Sequence, residues 1–265
     1  MAATVERIFT VISADGTRIA ASVNGQGPPL VLLHGTSGSW FSWRMVLPHL
    51  ESDFAVYAVH RRGRGSSGDT PLYALAREAE DVAAVVDGIG GKVHVFGHSY
   101  GANCALEGAL LTDTIATLIL YEPGVEFPYP PGLIETLEEL IKQGRDEEAL
   151  VTALTHSGLS KTELEMLKSS PTWRERIALA HTVPREARGD EHYRVDSERL
   201  RKVTVPTLLL TGSETPPEYR KGIDQLKVAL PNSELRILEG HGHAGILTAA
   251  ELVAEEVKAF VLRRS

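Results

Sequence analysis

Short apolar runs alternate along this chain with longer stretches that are apolar on one side only. The runs have the length of strands and lie at residues 8–13, 18–24, 30–34, 54–59, 93–96, 115–121, 207–211 and 234–238. Apolar residues spaced three and four apart predict helices over residues 43–50, 72–89, 102–111, 217–229 and 249–263. This alternation is typical of an α/β fold, in which helices cover both faces of a mostly parallel sheet.

The turn chemistry predicts that the chain opens with an antiparallel hairpin. Ala14-Asp15-Gly16-Thr17 separates the first two runs, and Asp-Gly between alternating apolar residues is a strong hairpin signal. With the six further runs, the pattern predicts an eight-stranded, mostly parallel sheet.

The alternation stops between residues 123 and 202. A proline-rich stretch at 127–132 is followed by helical patterns over residues 133–143, 147–155, 161–169 and 172–181. We therefore expect residues 1–122 and 203–265 to form the α/β core, with residues 123–202 inserted after the sixth strand as a helical cap. Such a cap would cover the C-terminal edge of the sheet, where open α/β sheets bind ligands.

Composition and charge exclude some classes of partner. Of the 265 residues, 43% are hydrophobic and 23% are charged, as is ordinary for a globular protein. The net charge of −8 argues against a nucleic-acid partner, because nucleic acids bind to basic faces. The longest apolar runs are too short to span a bilayer, so we expect no membrane partner.

The N-terminal sequence and the cysteine count bear on the compartment. Residues 1–7 lack the basic-then-apolar pattern of a secretion signal. The single cysteine, Cys104, excludes an intrachain disulfide. We therefore expect a cytoplasmic protein, while its oligomeric state is not indicated.

Gly97-His98-Ser99-Tyr100-Gly101 lies between the fifth apolar run and a helical stretch. Gly-x-Ser-x-Gly at a sharp strand-to-helix turn is the nucleophile elbow of serine hydrolases. A serine on such a strained turn leaves no room for Cβ atoms two residues to either side, which explains the glycines. The context predicts that Ser99 is a nucleophile.

Further motifs occur in the same order as in a known family. They are His34-Gly35, the run from Arg61 to Gly68, the run from Val205 to Gly212, and Gly242-His243 before the last helix. Over nearly its whole length the chain resembles an α/β-hydrolase-fold serine hydrolase of the esterase type with a helical lid. We expect the basic run at 61–64 to form a structural turn rather than a phosphate site.

The resemblance implies a histidine base near the end of the chain. His241 and His243 compete for this role, and only His243 follows a glycine and leads directly into the final helix, as the family pattern requires. His243 is therefore the expected base, and His241 is expected to shape the loop or border the pocket.

The carboxylate partner of the base departs from the family pattern. Family members usually carry Asp three residues after the glycine that ends the seventh strand, where this chain has Thr215. Glu214 on the same loop or Glu122 at the end of the sixth strand could replace it. Glu122 closes an apolar run, where a charged residue is costly to bury unless it has a partner. We therefore favour Glu122 and keep Glu214 as the alternative.

The same resemblance implies an oxyanion hole and a substrate pocket. The backbone N–H groups of Thr36 and Tyr100 are the expected oxyanion donors. The side chains and backbone that we expect to line the pocket belong to Gly35, Trp40, Phe127, Tyr129 and Trp173. The spacing of His, Cys, Asp and Glu indicates no metal site, and we expect no cofactor.

These features together favour a hydrolase that cleaves a small ester-type substrate through an acyl-enzyme. The same three groups could also hydrolyse lactones, amides or carbon–carbon bonds or catalyse perhydrolysis, and a ligand-sensing protein on this scaffold is a further alternative. Dehalogenases and epoxide hydrolases need a carboxylate nucleophile, so Ser99 at the elbow argues against both.

Overall fold

The computed structural model describes residues 7–264, and within them eight strands form a single sheet. Residues 1–6 and 265, which the sequence analysis assigned to the core, lie outside the described part. The strands are β1 (Arg7–Ile12), β2 (Arg18–Asn24), β3 (Pro29–Leu33), β4 (Ala55–His60), β5 (Val93–His98), β6 (Ile115–Tyr121), β7 (Thr207–Gly212) and β8 (Ser233–Leu238). Each lies within about two residues of a run predicted from the sequence.

The strand order is β1-β2-β4-β3-β5-β6-β7-β8. β2 pairs antiparallel with β1 and β4, and the other neighbours pair in parallel. The predicted hairpin is present, with Gly16 at φ +84° in the turn. The expected eight-stranded, mostly parallel α/β fold is therefore confirmed.

Helices cover both faces of this sheet. Along β3, Val31 and Leu33 pack against one group of helices, whereas Leu30 and Leu32 point to the other side, as the two-residue period of a strand requires. The helices are α1 (Leu47–Leu50), α2 (Leu75–Ile89), α3 (Tyr100–Gly108), α4 (Leu133–Lys142), α5 (Asp146–His156), α6 (Lys161–Lys168), α7 (Trp173–Ala178), α8 (Val183–Asp190), α9 (Ser197–Leu200), α10 (Pro217–Ala229), α11 (Gly245–Thr248) and α12 (Ala250–Leu262).

The segment between β6 and β7 is helical, and we name its residues 123–202 the cap segment. Four of its helices match the periodicities seen in the sequence, although the pattern at 172–181 divides into α7 and a short 3-10 turn at Ala180–Thr182. Helices α8 and α9 were not predicted. In α8, Pro184 in the first turn and Gly189 near the end obscure the helical pattern, but proline is well tolerated in a first turn.

A buried cluster of charges joins the cap segment to the core. Glu186 on α8 is fully buried, and its Oε1 lies 2.7 Å from Nη2 of Arg61. Arg64 is bound to the same carboxylate oxygen, and Arg61 also pairs with Glu78 of α2 at 2.6 Å. The basic run at 61–64 therefore forms a turn with its own carboxylate partners, and one of these comes from the cap segment.

This cluster predicts a large effect of Glu186→Gln on stability. Arg61 and Arg64, each 1% exposed, would lose their shared carboxylate, and breaking a buried ion pair by removing one partner costs about 3–5 kcal/mol. We expect a decrease of that size in the free energy of unfolding, measured by equilibrium urea denaturation.

Glu138→Gln is the matched control for this measurement. Glu138 also lies on a cap helix and pairs with an arginine, Arg188, but both side chains are more than a third exposed. An exposed pair contributes less than about 1 kcal/mol, so the control should stay close to the wild type. Equal losses in the two variants would contradict a structural role for the buried cluster.

Candidate active site

Ser99 occupies a strained turn between β5 and α3. Its φ of +55° lies in the left-handed region, which side chains other than glycine rarely adopt. A Cβ atom at Gly97 would lie 2.5 Å from the carbonyl oxygen of Gly101, and one at Gly101 would lie 2.2 Å from that of Leu33. Gly97 is therefore required for the close approach of β5 to the start of α3, and Gly101 for the close approach of α3 to β3.

His243, in the loop between β8 and α11, joins Ser99 to a carboxylate. Its Nε2 lies 3.1 Å from Ser99 Oγ, and its Nδ1 lies 2.8 Å from Oε2 of Glu122. The His243 carbonyl accepts a hydrogen bond from His98 Nε2 at 2.9 Å, and the ring of Tyr219 stacks on the imidazole with centroids 4.3 Å apart. The position and orientation of the His243 imidazole are thus fixed from several sides.

His98 stays uncharged beside this imidazole. Burial, reinforced by the neighbouring His243, lowers the pKa of His98 to about 3. A carbonyl can only accept, so Nε2 of the neutral ring carries the proton. His98 therefore holds the loop of His243 without placing a second positive charge against it.

Glu122 follows β6 with φ +45° and has no solvent exposure. Its Oε1 accepts hydrogen bonds from the Gly212 N–H at 2.8 Å and from Thr211 Oγ1 at 3.1 Å, and a third comes from the hydroxyl of Thr215. Burial by itself would raise the pKa of Glu122, but hydrogen bonds from His243, Thr215 and the Gly212 N–H outweigh it and lower the pKa. The group is therefore held as a carboxylate.

The loop after β7 contributes a hydrogen-bond donor to Glu122. Thr215, at the position where the family usually carries Asp, is buried and donates to Glu122. Glu214 is exposed, and its backbone N–H donates to the carbonyl of His241. Of the two glutamates that the sequence left open, the structure brings Glu122 to His243.

The two expected oxyanion donors flank Ser99. The N–H of Tyr100 is the first of α3 and therefore has no intrahelical acceptor. Thr36 and Ser99 line the same cavities. The loop of Thr36 can come this close because Gly35 has no side chain. A Cβ atom at Gly35 would lie 2.9 Å from the Cβ of Ser99.

Two small cavities meet at Ser99. The first, of about 80 Å³, is lined by Gly35, His243 and Arg176 among other residues. The second, of about 40 Å³, is lined by Phe127 and Tyr129 among others. Three of the five residues predicted to line the pocket therefore do so.

The prediction for Trp40 and Trp173 is wrong. Neither lines a cavity beside Ser99 in the described residues. Trp40 is 36% exposed and stacks on His60 with centroids 6.2 Å apart. Trp173 is buried among leucines of the cap segment, with its Nε1 donating to Glu147 at 2.9 Å. The first faces outward and the second holds cap helices together.

Sequence reasoning missed several polar residues that line these cavities, among them Arg176, Tyr219 and Asp190. Arg176 is three residues after Trp173 on α7, so the two share a helix face. An arginine on the same face as a buried tryptophan is the sequence signal that could have indicated a functional role. Tyr219 lies on α10, and no local pattern marks it. Asp190 is buried at the second cavity, and its burial raises its pKa to about 7 even though Asn103 donates to it at 2.8 Å.

Within residues 7–264, no group of three or more His, Cys, Asp or Glu side chains could hold a metal ion. In the same part of the chain, no helix has the length and apolar character needed to cross a bilayer.

Solved structures resemble this chain along nearly its full length. An alpha/beta hydrolase from Sphaerobacter thermophilus is 32% identical, with a TM-score of 0.84 over 96% of this chain and 100% of that one. The esterase RhEst1 from Rhodococcus sp. ECU1013 is 23% identical, with a TM-score of 0.78 over 97% and 99% of the two chains. The second likeness shows the fold alone.

Curated relatives match a shorter stretch. A soluble epoxide hydrolase from Corynebacterium sp. is 36% identical over 133 residues, which cover 45% of this chain and 46% of that protein. Epoxide hydrolase B from Mycobacterium tuberculosis is 34% identical over 135 residues, covering 47% and 37% of the two proteins. The matches therefore span less than half the length of these relatives.

A sequence model of one family covers most of the chain. It matches residues 30–256, which include Ser99, Glu122 and His243. Together with the eight-stranded sheet and the full-length likeness to the Sphaerobacter thermophilus hydrolase, this match means that the chain belongs to the alpha/beta hydrolase family.

Proposed function

We propose that this chain hydrolyses carboxylic esters through an acyl-enzyme formed on Ser99. The observation that carries the proposal is the continuous hydrogen-bonded path from Ser99 Oγ to His243 Nε2 at 3.1 Å and from His243 Nδ1 to Glu122 at 2.8 Å. A hydroxyl, an imidazole and a buried carboxylate in this order are the groups that serine acyl transfer uses.

In the first half-reaction, Ser99 Oγ attacks the ester carbonyl carbon while His243 Nε2 takes the hydroxyl proton. Glu122 accepts a hydrogen bond from the Nδ1–H of His243 and stabilises the imidazolium that forms. The ester C–O bond then breaks, and the departing alkoxide receives the proton from Nε2. In the second half-reaction, water adds to the acyl group in the same way, which releases the acid and restores Ser99.

The backbone N–H groups of Thr36 and Tyr100 act on the negative charge that develops on the carbonyl oxygen. In other enzymes, removing one donor of this kind by mutation raises the barrier by about 3–4 kcal/mol. Two features support an imidazolium at His243: Glu122 is held as a carboxylate, and the adjacent His98 is neutral.

The names of the curated relatives raise epoxide opening as a second reaction. Enzymes of this fold that open epoxides need a carboxylate nucleophile, whereas the elbow of this chain carries the hydroxyl of Ser99. We therefore propose ester cleavage. Lactones, amides, carbon–carbon bonds and perhydrolysis remain alternative reactions of the same groups, and ligand sensing is the alternative without turnover.

The role of Ser99 predicts the outcome of a labelling experiment. A fluorophosphonate probe should label the native protein, and Ser99→Ala should abolish labelling and lower turnover of p-nitrophenyl butyrate by at least roughly 10⁴-fold, because the nucleophile is gone. Ser52→Ala, which alters an exposed serine, serves as the control and should behave as the wild type. A folded native protein that neither labels nor hydrolyses esters would favour ligand sensing.

The identity of the acid predicts a contrast between two glutamates. Glu122→Gln should lower kcat for the same ester by roughly 10³- to 10⁴-fold, because the amide no longer fixes the tautomer of His243 or stabilises its charge. Glu214→Gln, which alters an exposed glutamate of the loop after β7, should change kcat less than about threefold. The reverse pattern would transfer the role of the acid to Glu214.

A further inference from the structure

Arg176 on α7 is a buried cation that faces the first cavity. The residue is 8% exposed and lines this cavity together with Ser99 and His243. Within residues 7–264, no carboxylate lies within 4.0 Å of its guanidinium nitrogens. Its hydrogen bonds go to neutral acceptors, the Ser37 carbonyl at 3.3 Å and the Ser37 and Ser42 hydroxyls at 3.1 and 3.5 Å.

The other buried arginines of the described residues differ from Arg176 in this respect. Each has at least one carboxylate as a direct partner: Glu78 and Glu186 for Arg61, Asp81 and Asp15 for Arg62, and Glu186 for Arg64. Placing a charge in a buried position is costly unless an opposite charge accompanies it. Arg176 is therefore the buried guanidinium that lacks this compensation, and it lies at the candidate active site.

Arg176 keeps its charge at neutral pH. Burial, with a contribution from nearby Arg44, lowers the pKa of Arg176 to about 10, which is still well above 7. A guanidinium has five N–H donors, and its hydrogen bonds to Ser37 and Ser42 engage only Nη1 and Nη2. Donors are therefore left for a ligand.

The rest of the first cavity suits the apolar part of a small organic anion. Arg44 lines the same cavity and adds a second positive charge. Apolar side chains complete the wall, from Leu154, Leu159, Leu167, Ile246 and Leu247. The cavity thus combines guanidinium groups with aliphatic side chains, within reach of the nucleophile.

We propose that Arg176 binds a free carboxylate on the substrate, so that this protein acts on esters whose group in the first cavity ends in a carboxylate. The planar fork of a guanidinium matches the two oxygens of a carboxylate and can bind them with parallel hydrogen bonds. The first cavity is small, about 80 Å³, so we expect the group that it holds to be short. The turnover of such esters depends on the proposed function, whereas the binding of the anion does not.

A purely structural role is the competing explanation. Ser37 follows Thr36, so Arg176 could serve only to hold the loop that carries a proposed oxyanion donor. In that case its loss would slow every ester alike. Recognition of a carboxylate instead makes the effect depend on the charge of the substrate.

Two esters of matched size separate these roles. The mono-p-nitrophenyl ester of glutaric acid and p-nitrophenyl valerate differ in a terminal carboxylate against a methyl group. We expect kcat/KM of the wild type to be at least tenfold higher for the glutarate ester. Arg176→Met should lower it at least 100-fold for this ester and less than threefold for valerate, and Arg176→Lys should retain part of the preference.

Arg174→Met is the control, because Arg174 is an exposed arginine on the same helix and should leave both rates unchanged. Equal losses for both esters in Arg176→Met, or a wild-type preference for valerate, would overturn the proposal. If Arg176→Met does not fold, the wild-type preference and the partial preference of Arg176→Lys decide the question.

A binding measurement separates this proposal from the proposed function. Titration calorimetry on Ser99→Ala should detect binding of monomethyl glutarate and weaker binding of methyl valerate. In the double variant that also carries Arg176→Met, the affinity for monomethyl glutarate should fall at least tenfold. Binding of the anion by a protein that cleaves no ester would refute the proposed function alone. Ester cleavage without binding of the anion, or tighter binding of inorganic phosphate than of the carboxylate, would refute the assignment of Arg176.

Discussion

The carboxylate of Glu122 carries a negative charge at a position without solvent exposure, and its donors come from separate parts of the sheet edge. Gly212 ends β7, Thr215 lies in the loop that follows, and His243 lies in the loop after β8. A buried charge of this kind is stable only when its hydrogen bonds are supplied. The same bonds therefore keep the group ionised and fix where the imidazole lies relative to Ser99.

Some buried charges in this protein have partners of opposite charge, and others do not. At the junction between core and cap segment, the guanidinium groups of Arg61 and Arg64 share carboxylates and stabilise the packing of α8. Beside Ser99, Arg176 has only neutral partners and Asp190 has a pKa raised to about 7 by burial. Residues that depart from the rules of stable burial concentrate at functional sites, and both departures line the cavities.

The strands and the elbow at Ser99 could be predicted because each depends on a local pattern, whereas the choice of His243 followed from the resemblance to a known family. For the carboxylate, the sequence favoured Glu122 but left Glu214 open, because both loops end at the same sheet edge and only three-dimensional contacts show which carboxylate reaches the imidazole. Bulky aromatic side chains were a poor guide to the cavities: Trp173 packs between cap helices, whereas Arg176 on the same helix face reaches the site. Packing between helices is a tertiary property that periodicity does not specify.

The anchoring of α8 through Glu186 constrains how molecules enter and leave. If α8 moved away as a rigid body, the buried guanidinium groups of Arg61 and Arg64 would lose Glu186, at a cost of about 3–5 kcal/mol. A displaced state of that energy is populated below about 1% of the time. Small molecules are therefore expected to reach Ser99 with α8 in place, so that Val183, Ala187 and Asp190 of this helix form a fixed wall of the second cavity.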